Sequence, residues 1–409
     1  MGKLLTTIIV VAGILSAFYV YIPVPEDLEN PWVFRLLGCL VRCMHWIMYY
    51  EVKYTDVSSG LFADRLQFPM PENNNNSLTV TTTEFDGVRV ILFQPNLPTS
   101  KEDQLLPAIV YFHGGGFVLG NPDIMYKVTQ RMCVELQAVV ASVDYRLAPK
   151  YKFPAAFEDS LKATKWLLTN AKKYSVDARK VAIAGDSAGG LLSAAVSQFI
   201  KDDLNVPNLL FQALIYPTAQ QIDVNLPSTQ QYHAIFGNRG IVCKHDMAMF
   251  IGLYAFGEFR QDYYDAFMTG TLTSREFRET SELMQYIDHD VILKSGVRSR
   301  HYVKPTSQTD NSKLWHDLKD VLLDVRMSPL LRKDMSGLPP AWIATCEYDP
   351  IRDDGILYAH RLKNDGVHVS FKNYEKGFHG AWMSEFNLVV YNEMMTDFMV
   401  FAKEYIKPK

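Results

Sequence analysis

The chain has no long run of basic residues, and its formal net charge is only −4 over 409 residues. Binding to a polyanion such as nucleic acid needs a concentrated positive footprint, so that class of function has no support. Cysteine is scarce: Cys39, Cys43, Cys133, Cys243 and Cys346 are the only five and are irregularly spaced. That excludes a disulfide framework and a cysteine-built zinc centre. The odd count leaves at least one thiol unpaired, with room for one bridge in an oxidising compartment. There is no internal repeat and no extended low-complexity tract, which removes solenoid and fibrous architectures. What remains is 48% hydrophobic and 21% charged, enough apolar material for one large globular domain with insertions. Such a composition suits a small, neutral or apolar ligand.

Charge is also missing from residues 4–22, a run of 19 residues. As a helix rising ~1.5 Å per residue, that run is long enough to cross the hydrocarbon core of a bilayer. Lys3 precedes it and Glu26, Asp27 and Glu29 follow, the polarity of a type II signal anchor with the rest of the chain in the lumen. A cleaved signal peptide is the alternative, but bulky Phe18-Tyr19-Val20-Tyr21-Ile22 offers no small-x-small cleavage site. A second apolar stretch, residues 32–50, is interrupted by Arg35, Arg42 and His45. On a helix these three fall close to one face and leave Leu36, Leu37, Leu40, Trp46 and Ile47 largely on the remaining surface. Two readings stay open: a helix lying in the membrane interface, and an amphipathic helix packed on the core. A second span would be costly with two arginines at mid-depth. Asn75-Asn76-Ser77 is a glycosylation sequon in a polar run, which puts Asn75 on a surface loop and fits a lumenal location.

From about Thr81 onward, short β-branched or aromatic runs alternate with helix-length segments. Residues 88–93, 108–112, 139–143, 181–184, 209–215, 341–345 and 367–371 read as buried strands, and 157–171 and 188–202 as helices between them. This rhythm predicts an α/β fold with a mostly parallel sheet covered on both faces. Residues 218–337 break the rhythm; they are mixed in charge, rich in aromatics such as Tyr254, Phe256, Tyr263, Tyr264 and Phe267, and read as an insertion that caps the sheet.

Three strand ends carry chemistry. Val181-Ala182-Ile183-Ala184 runs into Gly185-Asp186-Ser187-Ala188-Gly189 and then into an apolar helix. Strand, tight turn and helix are the setting of a nucleophile elbow, in which a sharply turned serine projects its Oγ near the positive end of the helix. The bare pattern is weak without that setting, since a helix-capping serine in a glycine-rich turn would match it too. Upstream, a buried strand ends in His113-Gly114-Gly115-Gly116. Consecutive glycines bring bare N–H groups up to a ligand. Gly114, Gly115 and Gly116, with Ala188 after the serine, are candidate donors to a tetrahedral oxyanion, Gly115 and Gly116 ahead of Gly114. His113 is expected to support the loop by hydrogen bonding.

A serine needs a base and an orienting acid. Asp349 lies just past residues 341–345, and His379 stands between Gly377-Phe378 and Gly380 after a late strand. Serine, acid, histidine is the chain order of one triad arrangement among several. Asp353 and Asp354 compete with Asp349, although they suit the first turn of the next helix. His368 reads as a strand-face residue.

Taken together, His113-Gly114-Gly115-Gly116, Asp144-Tyr145-Arg146-Leu147-Ala148-Pro149, Gly185-Asp186-Ser187-Ala188-Gly189-Gly190, Asp349-Pro350-Ile351-Arg352-Asp353-Asp354-Gly355 and Gly377-Phe378-His379-Gly380 resemble the hormone-sensitive-lipase branch of the α/β-hydrolases. The arylacetamide deacetylase and neutral cholesterol ester hydrolase family is the nearest likeness, over almost the whole chain. The resemblance implies a serine ester hydrolase with the triad Ser187, Asp349 and His379, acting through an acyl-enzyme without metal or organic cofactor. It also implies a type II protein of the endoplasmic reticulum membrane, meeting membrane lipid and hydrophobic esters. The organisation it suggests is an anchor over residues 1–22, a membrane-proximal segment over 23–80, and a catalytic domain over 81–409 with its cap near 218–337. Leu191 stands where the family has Asn. Val118 stands where arylacetamide deacetylases tend to have a cysteine paired with the one matching Cys346, which puts that bridge in doubt and leaves Cys133 as a substitute only if it is close enough. A ligand-binding pseudo-hydrolase is the alternative function, since plant gibberellin receptors keep this fold but have lost the histidine; here all three positions are filled.

Overall fold

The computed structural model describes residues 19–57, 60–61, 75–96, 104–297, 301–303 and 311–406. Alternation along the strands sorts apolar side chains into two cores, one on each face of a single sheet. Val90, Leu92, Val110 and Ile183 point into one core, and their neighbours Ile91, Phe93, Ile109 and Ala182 into the other. The sheet is built from β1 (Leu78–Phe85), β2 (Val88–Pro95), β3 (Leu106–Phe112), β4 (Val139–Val143), β5 (Val176–Asp186), β6 (Gln212–Ile215), β7 (Ala341–Tyr348) and β8 (Val369–Phe378). Their spatial order is β1-β2-β4-β3-β5-β6-β7-β8. β1 and β2 pair antiparallel at one edge, β2 runs antiparallel to β4, and the pairs from β4 through β8 are parallel. The mostly parallel sheet expected from the sequence is present.

Parallel strands require crossovers, and helices supply them on both faces. Ala163 and Leu167 of α3 (Ala155–Asn170), Ala194 and Ala195 of α4 (Ala188–Asp202) and Leu357 of α11 (Arg352–Asn364) enter one core. Met132 of α2 (Tyr126–Leu136) and Met394 and Phe398 of α12 (Val389–Ile406) enter the other. Between β6 and β7 the chain leaves the sheet and forms α5 (Pro227–Phe236), α6 (Lys244–Phe256), α7 (Gln261–Thr269), α8 (Arg275–Thr280), α9 (His289–Lys294) and α10 (Ser312–Leu322).

β1 departs from expectation. Its sequence, Leu-Thr-Val-Thr-Thr-Thr-Glu-Phe, buries only its two ends. An edge strand needs little apolar surface, and pairing with β2 rather than hydrophobicity makes it a strand. The sheet therefore begins at Leu78, inside the segment the sequence assigns to residues 23–80.

The segment at residues 32–50 is one helix, α1 (Pro31–Tyr54), opened by Pro31 and by Asn30, whose side chain accepts from the Val33 N–H. Its orientation is inverted relative to a soluble amphipathic helix. Arg35, Arg42 and His45 are buried, while Trp32, Leu36, Leu40, Trp46 and Ile47 are 43–60% exposed. The buried cations have partners: Arg35 Nε donates to the Ile22 carbonyl at 3.0 Å and Arg42 donates to the carbonyls of Tyr19 and Arg239. Most of the expected anchor, residues 4–18, lies outside the described residues. Among those described, no helix is long and apolar enough to cross a membrane.

Candidate active site

β5 leads directly into Ser187, and Ser187 into α4. The turn is tight enough to hold Ser187 at φ 55°, ψ −118°, a conformation that side-chain-bearing residues adopt only when their surroundings impose it. The two flanking glycines are required sterically. A Cβ on Gly189 would sit 2.0 Å from the Phe112 carbonyl oxygen, and one on Gly185 2.3 Å from the Gly189 carbonyl oxygen. The Ser187 N–H donates to the Ile215 carbonyl at 2.9 Å, which locks the elbow to β6.

His379 follows β8 and Asp349 follows β7, so three strand ends converge. His379 Nε2 lies 3.0 Å from Ser187 Oγ, and His379 Nδ1 lies 2.8 Å from Asp349 Oδ2. The other Asp349 oxygen accepts the Ile351 N–H at 2.9 Å, which fixes the carboxylate plane. Asp349 is 1% exposed and His379 6%. The competing carboxylates go elsewhere. Asp353 accepts from the Ser228 N–H and Arg352 Nε. Asp354 accepts from Thr218 Oγ1, the Ala219 N–H and Gln220 Nε2, and burial pushes its pKa up to about 6. Both lie in the first turn of α11 and tie it to the root of the cap.

The glycine loop reaches Ser187 from β3. The Gly114 N–H donates to Asp186 Oδ1 at 3.1 Å. That takes Gly114 out of the donor set the sequence proposed and leaves Gly115, Gly116 and Ala188. Gly115 and Gly116 hold φ of +114° and +64°. At Gly116 a Cβ would come within 2.6 Å of the Phe250 ring, so the cap helix α6 seats directly on bare backbone. Ala188 opens α4, and the first N–H groups of a helix have no carbonyl one turn behind them to bond.

Asp186, to which the sequence reading gave no role, holds this loop in place. Asp186 is buried and also accepts the Tyr111 hydroxyl at 2.7 Å; burial raises its pKa to about 6. One carboxylate thus pins the glycine loop to the elbow, which only its neighbours in space reveal. His113 plays the expected support role: Nδ1 donates to the Gly114 carbonyl at 2.7 Å, and its ring stacks on Tyr145 at 4.2 Å. Leu191, the substitute for the family's Asn, is fully buried in the core. All five cysteines are free, so Cys346 forms no bridge with Cys133. Its Sγ instead abuts Gly377, where a Cβ would lie 2.8 Å away, and so packs β7 closely against β8 just before His379.

A cavity of about 340 Å³ opens over Ser187 and His379. Its walls are mainly apolar: Leu37, Leu40, Val41, Met44 and Met48 from α1, Met247, Phe250 and Ile251 from α6, and Met125, Ile351 and Met383 from the body. The polar groups converge on one spot, the pattern of a site that orients an apolar ligand by a few fixed atoms. Chemically, the arrangement has a serine hydroxyl beside an imidazole, a carboxylate behind the imidazole, and Gly115, Gly116 and Ala188 lining the same cavity.

Comparison with known proteins agrees with this geometry. Residues 109–316 and 299–383 match the family model described as alpha/beta hydrolase fold. Neutral cholesterol ester hydrolase 1 of Bos taurus is 36% identical, over 91% of this chain and 93% of its own length. Arylacetamide deacetylase of Rattus norvegicus is 35% identical, over 93% of this chain and 94% of its own. Among solved structures, a Pyrobaculum calidifontis esterase superposes with a TM-score of 0.56 at 28% identity, covering 90% of this chain and 93% of its own.

Proposed function

This chain belongs to the α/β-hydrolase family, with neutral cholesterol ester hydrolase and arylacetamide deacetylase as relatives, and it is a carboxylic ester hydrolase; we propose that it cleaves hydrophobic esters at a membrane surface by two-step acyl transfer. The observation that carries the reading is the line from Ser187 through His379 to Asp349, at 3.0 and 2.8 Å, under an apolar cavity. His379 donates from Nδ1 to Asp349 and accepts the Ser187 proton at Nε2 as Oγ attacks the ester carbonyl. The N–H groups of Gly115, Gly116 and Ala188 hold the oxyanion. The alcohol leaves with the proton from His379, which then activates water to release the acid and restore Ser187. These steps are complete with this chain's own groups.

Covalent labelling tests the mechanism. Incubating the full chain with a fluorophosphonate should give one adduct per chain, located by peptide mass spectrometry on Ser187; an unlabelled wild type would sink the proposal.

The inverted face of α1 supports the membrane surface. Exposed Trp32, Leu36, Leu40, Trp46 and Ile47 are apolar or amphipathic side chains of the kind that enter a headgroup boundary. Tyr19, which follows the uncharged run 4–18 in the sequence, has its carbonyl held by Arg42 of the same helix at 2.7 Å. Leu40 both lies on the outer face and lines the cavity, so an ester leaving the bilayer meets the pocket mouth there. Leu36 and Ile47 do not line the cavity. The double variant Leu36→Glu, Ile47→Glu should lower hydrolysis of a long-chain ester in vesicles by about tenfold or more, because a buried Leu or Ile is worth ~1.5–3 kcal/mol. Turnover of a short soluble ester should be unchanged. Equal rates on vesicle-borne ester would count against a lipid-facing α1.

Placement in the endoplasmic reticulum as a type II protein makes the catalytic domain lumenal. Asn75 precedes β1 in a turn, its Oδ1 accepting from the Ser77 N–H at 2.9 Å. Expressed in secretory-competent cells, wild-type chain should shift in mobility on endoglycosidase treatment and Asn75→Gln should not. A wild type without that shift contradicts lumenal placement.

A further inference from the structure

A second cluster of chemically competent side chains lies outside the site described above, where α1 meets the N-terminal end of α6. His45 comes from α1; His245 and Asp246 come from the first turn of α6. The side chains of His45, His245 and Asp246 are 6%, 12% and 1% exposed. Asp246 Oδ2 is committed, since it accepts the Cys243 N–H at 2.8 Å and closes the cap of α6. Its Oδ1 is turned to the histidines, 2.9 Å from His45 Nδ1 and 3.4 Å from His245 Nε2. The three ligand atoms all lie within 4.8 Å of one another, and the two imidazoles meet edge to face at 4.3 Å.

Ion pairing alone accounts poorly for this arrangement. Among the described residues, neither His45 Nδ1 nor Asp246 Oδ1 is aligned for a hydrogen bond with any group, although both are buried. Buried polar atoms rarely stay unsatisfied. A tetrahedral zinc ion with N and O ligands at ~2.0–2.1 Å would hold its ligand atoms ~3.3 Å apart, between the 2.9 and 3.4 Å that separate Asp246 Oδ1 from the two imidazoles, with all three atoms within 4.8 Å of one another.

We propose that His45, His245 and Asp246 bind a divalent transition-metal ion of the zinc or cobalt type that clasps α1 to the cap. Two imidazoles and one carboxylate select such ions over calcium or magnesium, which take oxygen ligands. Arg42 is the nearby cation; its guanidinium is turned to the carbonyls of Tyr19 and Arg239 rather than to Asp246. The Cys243 sulfur serves the cap of α6, where it accepts the Asp246 N–H, so the ligand set is three residues with a fourth position for water. The consequence falls on the cavity. α1 contributes Leu37, Val41 and Met44 to its walls and α6 contributes Met247, Phe250 and Ile251, so an ion across the two helices sets the spacing of those walls.

The test uses full-length protein in detergent, stripped with a chelator and titrated with zinc and, separately, cobalt. Expected are one ion per chain, a visible cobalt absorption of the four-coordinate kind, and a higher melting temperature on metal addition. The variant His45→Gln, His245→Gln should lose the cobalt absorption and bind zinc at least as much more weakly as the ~10–100-fold that losing an outer-shell partner costs. Fluorophosphonate labelling of the variant reports that it remains folded. The proposal is overturned if the stripped wild type takes up no zinc, or if the variant binds it as the wild type does. Should the variant not fold, the wild-type stoichiometry and cobalt spectrum decide. None of these readouts depends on which ester is cleaved.

Discussion

Replacing Ser187 by Ala lowers kcat for ester hydrolysis by about 10⁶-fold, because triad members act as a unit and loss of the nucleophile removes nearly all that the unit contributes. The fold should tolerate the change. Ala and Ser meet the same strain at φ 55°, and the elbow is fastened by backbone, through the Ser187 N–H to Ile215 and through the bare glycines on either side. What is lost is one hydrogen bond, from Oγ to His379. The melting temperature should therefore stay near wild type while covalent labelling disappears. Steady-state hydrolysis of a short soluble ester, with a parallel thermal melt, checks both. A variant keeping more than a few per cent of activity would mean that another nucleophile carries the reaction.

Asp349→Asn should cost about 10⁴-fold in kcat, by a different route. Asp349 accepts twice, from the Ile351 N–H at Oδ1 and from His379 Nδ1 at Oδ2. An asparagine keeps its single carbonyl oxygen for the Ile351 N–H and so turns its NH₂ toward His379. Nδ1 must then accept, the ring proton moves to Nε2, and Nε2 can no longer take the proton of Ser187. Asp354→Asn has no such effect on His379. Both Asp354 oxygens accept, from Thr218, Ala219 and Gln220, so an amide nitrogen there confronts a donor. The expected result is ~1–3 kcal/mol of lost stability, with turnover per folded molecule preserved. Measuring kcat and the melting temperature for both variants separates the two roles. An inactive, well-folded Asp354→Asn beside an active Asp349→Asn would reverse the assignment.

How far these residues could be read in advance depends on how local their constraints are. The elbow was legible because strand, glycines, serine and helix are contiguous, and because no other residue type fits where Phe112 crosses Gly189. Asp349 and His379 were legible by chain order and by their places after strands. Asp353 and Asp354 could be set aside only once their partners in the cap were visible. Asp186 stood in the motif with no role assigned to it, although it fastens the glycine loop through Gly114 and Tyr111. β1 escaped notice because pairing rather than apolar pattern makes it a strand.

The sequence by itself determined what is written in nearest neighbours: an α/β chain, a serine turned between strand and helix, a glycine-rich loop after a buried strand, and an aspartate and a histidine after later strands in that order. Those features rest on backbone sterics and on the alternation of apolar side chains, which a contiguous stretch carries within it. Tertiary structure alone decided which way α1 faces, since a helix with arginines on one side and leucines on the other can bury either until Tyr19, Ile22 and Arg239 offer their carbonyls. It also brought His45 to a histidine and an aspartate some two hundred residues away in the chain. Such contacts belong to the packing of distant elements, and no local pattern encodes them.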